Sequence, residues 1–596
     1  MKQLAVLNKY FLKYKWHLLL GTLFVSLSNY FWVLQPRLIR QALDLVVENI
    51  SLYHLLNDFD LQREWYRILG QSLFYFGALV LVVALITGIF MYYMRQTIIV
   101  MSRLIEYDMR KELFAHYEKL SLAFYKRNNT GDLMARISED VSKVRMYLGP
   151  AVLYGINLAS LFILVIYSML KVSPGLTLYS LAPLPILSVS IYYVSNLINK
   201  RSERIQQQLA SLNSTAQEVY SGIRVVKSYV QEAPMVERFA EQCEDYKHKS
   251  LKLVRVDSFF FPIMLLLIGA STVITVYVGG LQVVNGRITA GNIAEFVIYV
   301  NMLTWPVTAI GWIASIIQQA SASQKRINEF LNTEPEITNQ VTRKESLQGT
   351  IEFKDVSFTY PDTGIQALKD ISFKLEPGQK MAIVGRTGSG KTTIADLLVR
   401  MYDIKTGEIL IDGQNIQDHD LENLRRRIGY VPQDVFLFSD TVANNIAFGR
   451  REAELPEIEQ FARHSAVYND IQELSEGFQT RVGERGITLS GGQKQRVSIA
   501  RALIKHPDII ILDDCLSAVD TTTEKEILGY FNEMLTDKTA IIITHRIYSH
   551  LQFDKILVID EGRITEAGTH EQLLEKKGYY FDMYERQTFE LADGER

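Results

Sequence analysis

Up to about residue 320 the chain repeatedly runs apolar for the length of a membrane span, and beyond that point its apolar segments are short and alternate with charge. A hydrocarbon core about 30 Å thick is crossed by about 20 residues of helix. Six stretches meet that length, roughly 16–36, 69–94, 147–171, 174–197, 256–283 and 293–317. LFYFGALVLVVALITGIFMYY, from Leu73 to Tyr93, carries no charge at all, which argues against a buried helix of a water-soluble protein. The N-terminal MKQLAVLNKYFLKYKW spreads Lys2, Lys9, Lys13 and Lys15 through an amphipathic stretch, and no small-residue cleavage site follows the apolar run. It is expected to lie at the membrane surface ahead of the first span rather than to be a signal peptide.

Between spans two and three stand Arg95, Arg103, Arg110, Lys111, Lys119, Lys126, Arg127 and Arg136, whereas the loops after spans three and five are short and nearly uncharged. The positive-inside rule then puts both termini in the cytoplasm. In MSRLIEYDMRKELFAHYEKL, Met101, Leu104, Ile105, Met109, Leu113 and Tyr117 fall near helical spacing, so span two is expected to continue as a helix beyond the bilayer. The segment around 198–255 reads the same way. Each long connection has one glycine-marked break, FYKRNNTGDL at 124–133 and VYSGIRVVKS at 219–228. Helix, break and returning helix describe a stalk whose tip touches a cytoplasmic partner, or, more plainly, a solvated helical hairpin.

After a polar linker the periodicity changes. IEFKDVSFTY alternates as a strand does, and ISFKLEPGQKMAIVG reads as two strands joined by the turn at Pro377-Gly378. The second runs into GRTGSGKTT, Gly385 to Thr393, and then into the helical IADLLVRMY. This is G-x-x-x-x-G-K-[ST] in its strand-to-helix setting. Glycines let backbone N–H groups wrap phosphates, the helix N-terminus adds a favourable dipole, Lys391 supplies a point charge and Thr392 a hydroxyl for Mg²⁺. That alone says only that a nucleoside triphosphate binds. Three further features lie beyond it: Gln433 after an apolar strand, LSGGQ at 489–493 opening a helix, and His545 at the end of AIIITHR. Between the last two lies IIILDD, a strand ending in Asp513 and Asp514.

Composition adds little that is positive. The 596 residues are 48% hydrophobic, which averages a greasy part and a polar part, and a net charge of −3 gives no case for nucleic acid. Cys243 and Cys515 are far apart and build no disulfide framework, which fits a reducing compartment; Cys515 reads as a small core residue.

Carried by these motifs, the chain resembles a half-size exporter of the ATP-binding cassette (ABC) superfamily over nearly its full length. The resemblance implies an α-helical six-span membrane domain (1–320), a linker (321–349) and an α/β P-loop ATPase domain with an ABC-type helical subdomain (350–596). It implies that Tyr360 stacks on adenine and that Gly385, Arg386, Thr387, Gly388, Ser389, Gly390, Lys391, Thr392 and Thr393 bind the phosphates of ATP. Thr392, Gln433 and Asp513 would hold Mg²⁺. Leu489, Ser490, Gly491, Gly492 and Gln493 would be the signature motif, Ser517 to Asp520 an inter-subunit loop, and His545 the switch histidine. TRVGERG at 480–486 is similar to the segment that connects the ATPase to the stalk tips. In the family two such domains close head to tail, with each ATP between one P-loop and the other subunit's signature.

The sequence departs from the family pattern at one position. Where the family has a glutamate after the magnesium aspartate, this chain has Asp514, shorter by one methylene or about 1.3 Å. Misplacing a catalytic group by roughly 1 Å costs on the order of 10²-fold in rate. The chain's own site is therefore expected to bind ATP and hydrolyse it slowly. With LSGGQ intact, this favours one subunit of a heterodimer whose partner carries the glutamate, against a homodimer with two slow sites.

The expected function is ATP-driven export of hydrophobic or amphipathic compounds, drugs or lipids, across the cytoplasmic membrane. A gated channel or regulatory membrane protein, and a homodimeric lipid flippase, are the alternatives. Asn29, Tyr30, Gln35, Tyr92, Tyr93, Asn157, Asn301 and Trp305 are polar or aromatic within otherwise almost uncharged spans. Interfacial belts and interhelical hydrogen bonds account for them as well as a substrate cavity does. Pro36, Pro150, Pro262 and Pro306 are candidate kinks.

Overall fold

The structure, a computed structural model, describes residues 2–55, 61–339, 341, 346–483, 486, 488–548 and 551–594. It divides into two compact units. The first comprises Met1–Tyr117 and Gly131–Thr333, and the second Glu118–Thr130 and Glu334–Arg596. The segment containing FYKRNN thus clusters with the second unit, although its two ends continue in sequence into helices of the first.

In the first unit six helices among the described residues are long and apolar enough to cross a membrane: Lys15–Ile50, Arg63–Tyr117, Thr130–Val172, Pro174–Ser221, Glu232–Val284 and Ala290–Leu331. We call them spans 1 to 6. All exceed what the bilayer requires; span 5, with 53 residues, measures roughly 80 Å at 1.5 Å per residue. Boundaries are written locally. Ser173 caps span 4 by accepting from the Leu176 amide, with Pro174 in the first helical turn, and Thr289 opens span 6 with a capping box to Asn292. Pro36, Pro262 and Pro306 lie inside helices, and Pro150 lies in a π-helical turn, Tyr147–Ala151.

The extension of span 2 buries Met101, Ile105, Met109 and Leu113, as the spacing predicts, while Leu104 is exposed because it falls off that stripe. The N-terminal helix is clipped to this extension: Lys9 Nζ donates to Glu112 at 2.7 Å, and Lys13 Nζ to Asp108 at 2.5 Å. Between spans, Asn29 Nδ2 donates to Ser160 Oγ at 2.5 Å and to the Asn157 carbonyl at 3.1 Å. Ser271 and Thr275 bond Ser180 at 2.5 and 2.8 Å. Asn29 is thus used in helix packing, with Asn157 contributing only its backbone carbonyl, whereas Tyr30, Tyr92, Tyr93 and Trp305 are exposed.

One of the few charges within the spans, Glu295 in the first turns of span 6, is fully buried. Its carboxylate lies 3.4 Å from Arg40 Nη1 and 3.9 Å from Arg37 Nε, and it accepts from the Tyr299 hydroxyl at 2.9 Å. Paired cations a helix away are what make such a burial tolerable.

The second unit is built on two sheets. One is antiparallel: β1 (Ile351–Thr359), β2 (Gln366–Leu375), β4 (Thr406–Ile411) and β5 (Gln414–Asn415), in the order β2-β1-β4-β5. The other contains β3 (Lys380–Gly385), β6 (Ile428–Val431), β7 (Ile509–Asp513), β8 (Thr539–Ile543), β9 (Lys555–Asp560) and β10 (Arg563–Gly568), in the order β10-β9-β3-β8-β7-β6. The Pro377-Gly378 turn therefore joins strands of different sheets and is not a hairpin. All neighbours in the second sheet are parallel except β10, which runs antiparallel to β9. Its interior strands read as continuous apolar runs because both faces are covered. On β7, Ile509 and Ile511 face a core with Phe353, Met381 and Ile394, while Ile510 and Leu512 face Ile458, Phe461 and Val497 of a helical subdomain.

The inserted segment is part of this unit's core. Its helix Leu122–Arg127 buries Ala123 among the apolar residues of the antiparallel sheet. Glu336 accepts from Ser121 Oγ at 3.1 Å and pairs with Arg127 at 3.0 Å.

Candidate nucleotide site

Parallel strands β3, β6, β7 and β8 end on one edge of the sheet, and the residues at and beyond their carboxyl ends converge there. That is where ligands bind in open α/β sheets. After β3 comes the P-loop, after β6 Gln433, at the end of β7 Asp513 and Asp514, and after β8 His545. They surround a cavity of about 570 Å³. Its lining includes Tyr360, Thr387, Gly388, Gly390, Lys391, Thr392, Thr393, Gln433, Asp513, Asp514 and His545, and also Lys126.

The loop geometry demands glycine at its turn into the helix. Gly390 precedes helix Lys391–Leu398 with φ at +103°, and a Cβ there would lie 2.4 Å from the Ala367 carbonyl oxygen. Lys391, only 6% exposed, folds back to donate to the Gly385 and Arg386 carbonyls at 2.9 and 2.7 Å. Burial pulls its ammonium below the ordinary lysine value, with Asp513 and Asp514 acting in the opposite direction. Burial pushes Asp513 up to about 6; Asp396 and Asp514 add to the rise, and Thr392 and Lys391 oppose it. His545 is held below its ordinary value by burial and by the charge of Lys391.

Two buried polar atoms here lack a hydrogen-bond partner among the described residues, Ser389 Oγ and Asp513 Oδ2. An orphaned hydroxyl in the P-loop and an orphaned carboxylate oxygen opposite it are the donor and acceptor that a phosphate with its Mg²⁺ would satisfy. The residues therefore fit a magnesium nucleotide, with Thr392, Asp513 and Gln433 available to the metal.

Tyr360 supplies an aromatic ring to the lining, its hydroxyl 2.9 Å from Thr393 Oγ1. Lys126 lies over that ring: its ammonium is 5.0 Å from the Tyr360 centroid. Burial works against that charge, but the Tyr402 hydroxyl, Tyr360 and the Asp396 carboxylate together outweigh it, so the ammonium sits above the ordinary lysine value. The Arg386 guanidinium is not part of the lining and stands 5.6 Å from the centroid of the Tyr579 ring.

Leu489 to Gln493 and Asp520 do not line the cavity. Ser490 caps helix Gly491–Leu503 in a capping box with Gln493, whose side chain also donates to Asp470 at 2.9 Å. Asp520 caps helix Thr521–Met534 through the amides of Thr522 and Thr523. The two motifs are joined by a residue the motif reading passed over. Buried Gln495 donates to Ser517 Oγ at 3.1 Å and accepts from the Ala518 amide at 3.1 Å. The TRVGERG segment is described only in part, since Glu484 and Arg485 lie outside the described residues. Cys515 is buried and Cys243 exposed.

Comparison with known proteins agrees with both halves. The family described as the ABC transporter transmembrane region matches residues 18–307, and that described as ABC transporter matches residues 368–517. The chain is 39% identical over 524 residues to a probable multidrug resistance ABC transporter ATP-binding/permease protein, YheI, of Bacillus subtilis (strain 168), covering 87% of this chain and 89% of that one. It is 38% identical over 475 residues to an ATP-dependent lipid A-core flippase of Pseudomonas fluorescens (strain Pf0-1), covering 80% and 79%. Among solved structures, a bacterial Atm1-family ABC exporter with ATP bound matches with a TM-score of 0.75 at 26% identity, over 98% of this chain and 99% of that one. The chain belongs to the ABC transporter family. It is of the exporter type, with the six-span region and the transport ATPase on one polypeptide.

Proposed function

We propose that this protein is one half of an ATP-driven exporter of amphipathic or lipid-like compounds, set in the cytoplasmic membrane with both termini in the cytoplasm. The observation that carries the reading is the division of motifs. Among the described residues the cavity is walled by the P-loop, Gln433, Asp513, Asp514 and His545 and by none of Leu489 to Gln493. A second chain that presents its own signature motif would complete it. Support for a second chain also comes from the other tip, where Tyr220, Val225, Tyr229 and Val230 are exposed in a region that the basic residues assign to the cytoplasm. The relatives named for multidrug resistance and for lipid A-core flipping support the substrate class.

Within the site Lys391 balances phosphate charge, and the glycines bring backbone N–H groups to the phosphates. A bound Mg²⁺, which Thr392, Gln433 and Asp513 would hold, would neutralise phosphate charge. Asp514 accepts the proton as a water oxygen bonds to the γ-phosphorus and the bond to the β-phosphate oxygen breaks, giving ADP and phosphate. Its short side chain makes this site the slow one, which favours a heterodimer with a glutamate-bearing partner.

The test is ATP-dependent accumulation of a fluorescent amphipathic compound into inside-out vesicles carrying the protein. Uphill accumulation that Lys391→Ala abolishes supports export. ATP turnover with no accumulation, across a panel of amphipathic cations, neutral dyes and lipid analogues, contradicts it.

A further inference from the structure

Lys126 is the one residue of the inserted segment Glu118–Thr130 that lines the nucleotide cavity. Its backbone is well held. Ala123 is buried three residues before it, Arg127 pairs with Glu336 at 3.0 Å, and Asn128 Nδ2 closes the helix by donating to the Phe124 carbonyl at 2.8 Å. The ammonium stands over two aromatic rings, 5.0 Å from the Tyr360 centroid and 5.5 Å from that of Tyr402. Those rings meet edge to face with centroids 5.4 Å apart. Among the described residues Lys126 forms no ion pair, unlike its neighbour Arg127. A cation placed at the aromatic wall of a cavity, and not spent on a carboxylate, is available to a ligand.

The lining residues differ in chemistry, charged and glycine-rich at the P-loop and aromatic at Tyr360. Lys391, Asp513 and the P-loop form the phosphate end. Tyr360 is tied to Thr393, at the start of the helix beyond the P-loop, and Thr363, Ile365 and Lys126 complete the wall around it. An ammonium has three donors and no acceptor, so it suits purine ring nitrogens and ribose oxygens, and it is attracted to the face of a stacked ring.

We propose that Lys126 is a nucleotide-contacting residue that recognises the base–ribose half of ATP. It would make the tip segment, continuous in sequence with spans 2 and 3, respond directly to whether nucleotide is bound. The proposal rests on the assignment of this cavity to ATP and adds to it a contact that the P-loop chemistry does not require.

The experiment measures equilibrium binding of MgATP and of magnesium tripolyphosphate to the full chain in lipid nanodiscs. It compares wild type with Lys126→Met, Lys126→Arg and Lys391→Ala. Loss of one charged hydrogen bond predicts roughly tenfold weaker ATP binding for Lys126→Met. Tripolyphosphate binding should be unchanged, which also shows that the P-loop is folded, and Lys126→Arg should recover most of the ATP affinity. If Lys126→Met binds ATP as wild type does, or weakens ATP and tripolyphosphate equally, the base-side contact is refuted. If Lys391→Ala leaves binding of both ligands intact, the cavity itself has been misassigned, and that outcome is separate from the other two.

Discussion

The amide of Asp514 donates to the carbonyl of Ile543 at 2.8 Å, which hangs the second aspartate of β7 from the end of β8. Its φ is +46°, a left-handed conformation that aspartate tolerates better than most residues. On its other side the Asp514 carbonyl accepts from Ser517 Oγ at 3.0 Å. The backbone is thus tethered in both directions. On the proposal that Asp514 activates the attacking water, its backbone could not be moved forward to make up the missing methylene without breaking one of these hydrogen bonds.

Gly390 gives the most local prediction. Gly390→Ala places a Cβ against the Ala367 carbonyl at 2.4 Å on a backbone with φ at +103°. Both effects displace the loop that forms the phosphate end of the cavity. MgATP affinity should fall by at least about tenfold, since 1.4 kcal/mol of strain already suffices for that. Near wild-type binding by titration would contradict the geometry.

Glu295 makes a prediction for the membrane unit. Glu295→Ala leaves Arg37 and Arg40 without their carboxylate and should destabilise, though by less than breaking a fully buried pair, because the two arginine side chains are 35% and 27% exposed. Glu295→Gln keeps an acceptor for Tyr299 and should cost less. Thermal unfolding in lipid should rank wild type above Gln and Gln above Ala. Equal midpoints for all three would mean that the cluster contributes nothing to stability.

Lys505 supplies a pH dependence. Burial depresses its pKa from 10.5 to about 8, although its ammonium donates to the Arg425 and Ile428 carbonyls at 2.7 and 2.5 Å. The folded pKa lies below the unfolded one, so between about 8 and 10.5 the unfolded chain binds more protons and stability rises with pH. That contribution is lost as the pH falls back through about 8. The melting temperature of wild type relative to Lys505→Met should therefore climb from pH 7.5 to pH 10 (a flat difference would refute it), a window set by these two pKa values.

Much of this was legible in the sequence because its signals are local. A charge-free run such as Leu73 to Tyr93 declares a span, and a P-loop declares itself through glycines whose φ values few other residues adopt. Residues that act across the chain left no such trace. Lys126 lies in a segment marked as a tip, but which surface the tip meets depends on contacts with residues hundreds of positions later. Glu295 is one charge in an otherwise apolar span, and hydropathy averaged over one helix does not show that its partners Arg37 and Arg40 lie on another. Gln495 reads as one more polar residue of a helix, and only the fold brings Ser517 and Ala518 to it. The two strands around Pro377-Gly378 were legible, but not that they belong to different sheets, since two strands and a turn look alike whether they share a sheet or not.

The most direct measurement is ATP turnover by this chain alone in lipid, beside Asp514→Glu, with MgATP binding measured on both. The account predicts equal binding, slow turnover by wild type and turnover raised on the order of 10²-fold by the added methylene. Brisk turnover by wild type, unchanged by the substitution, would show that Asp514 reaches its water and would contradict the slow-site account.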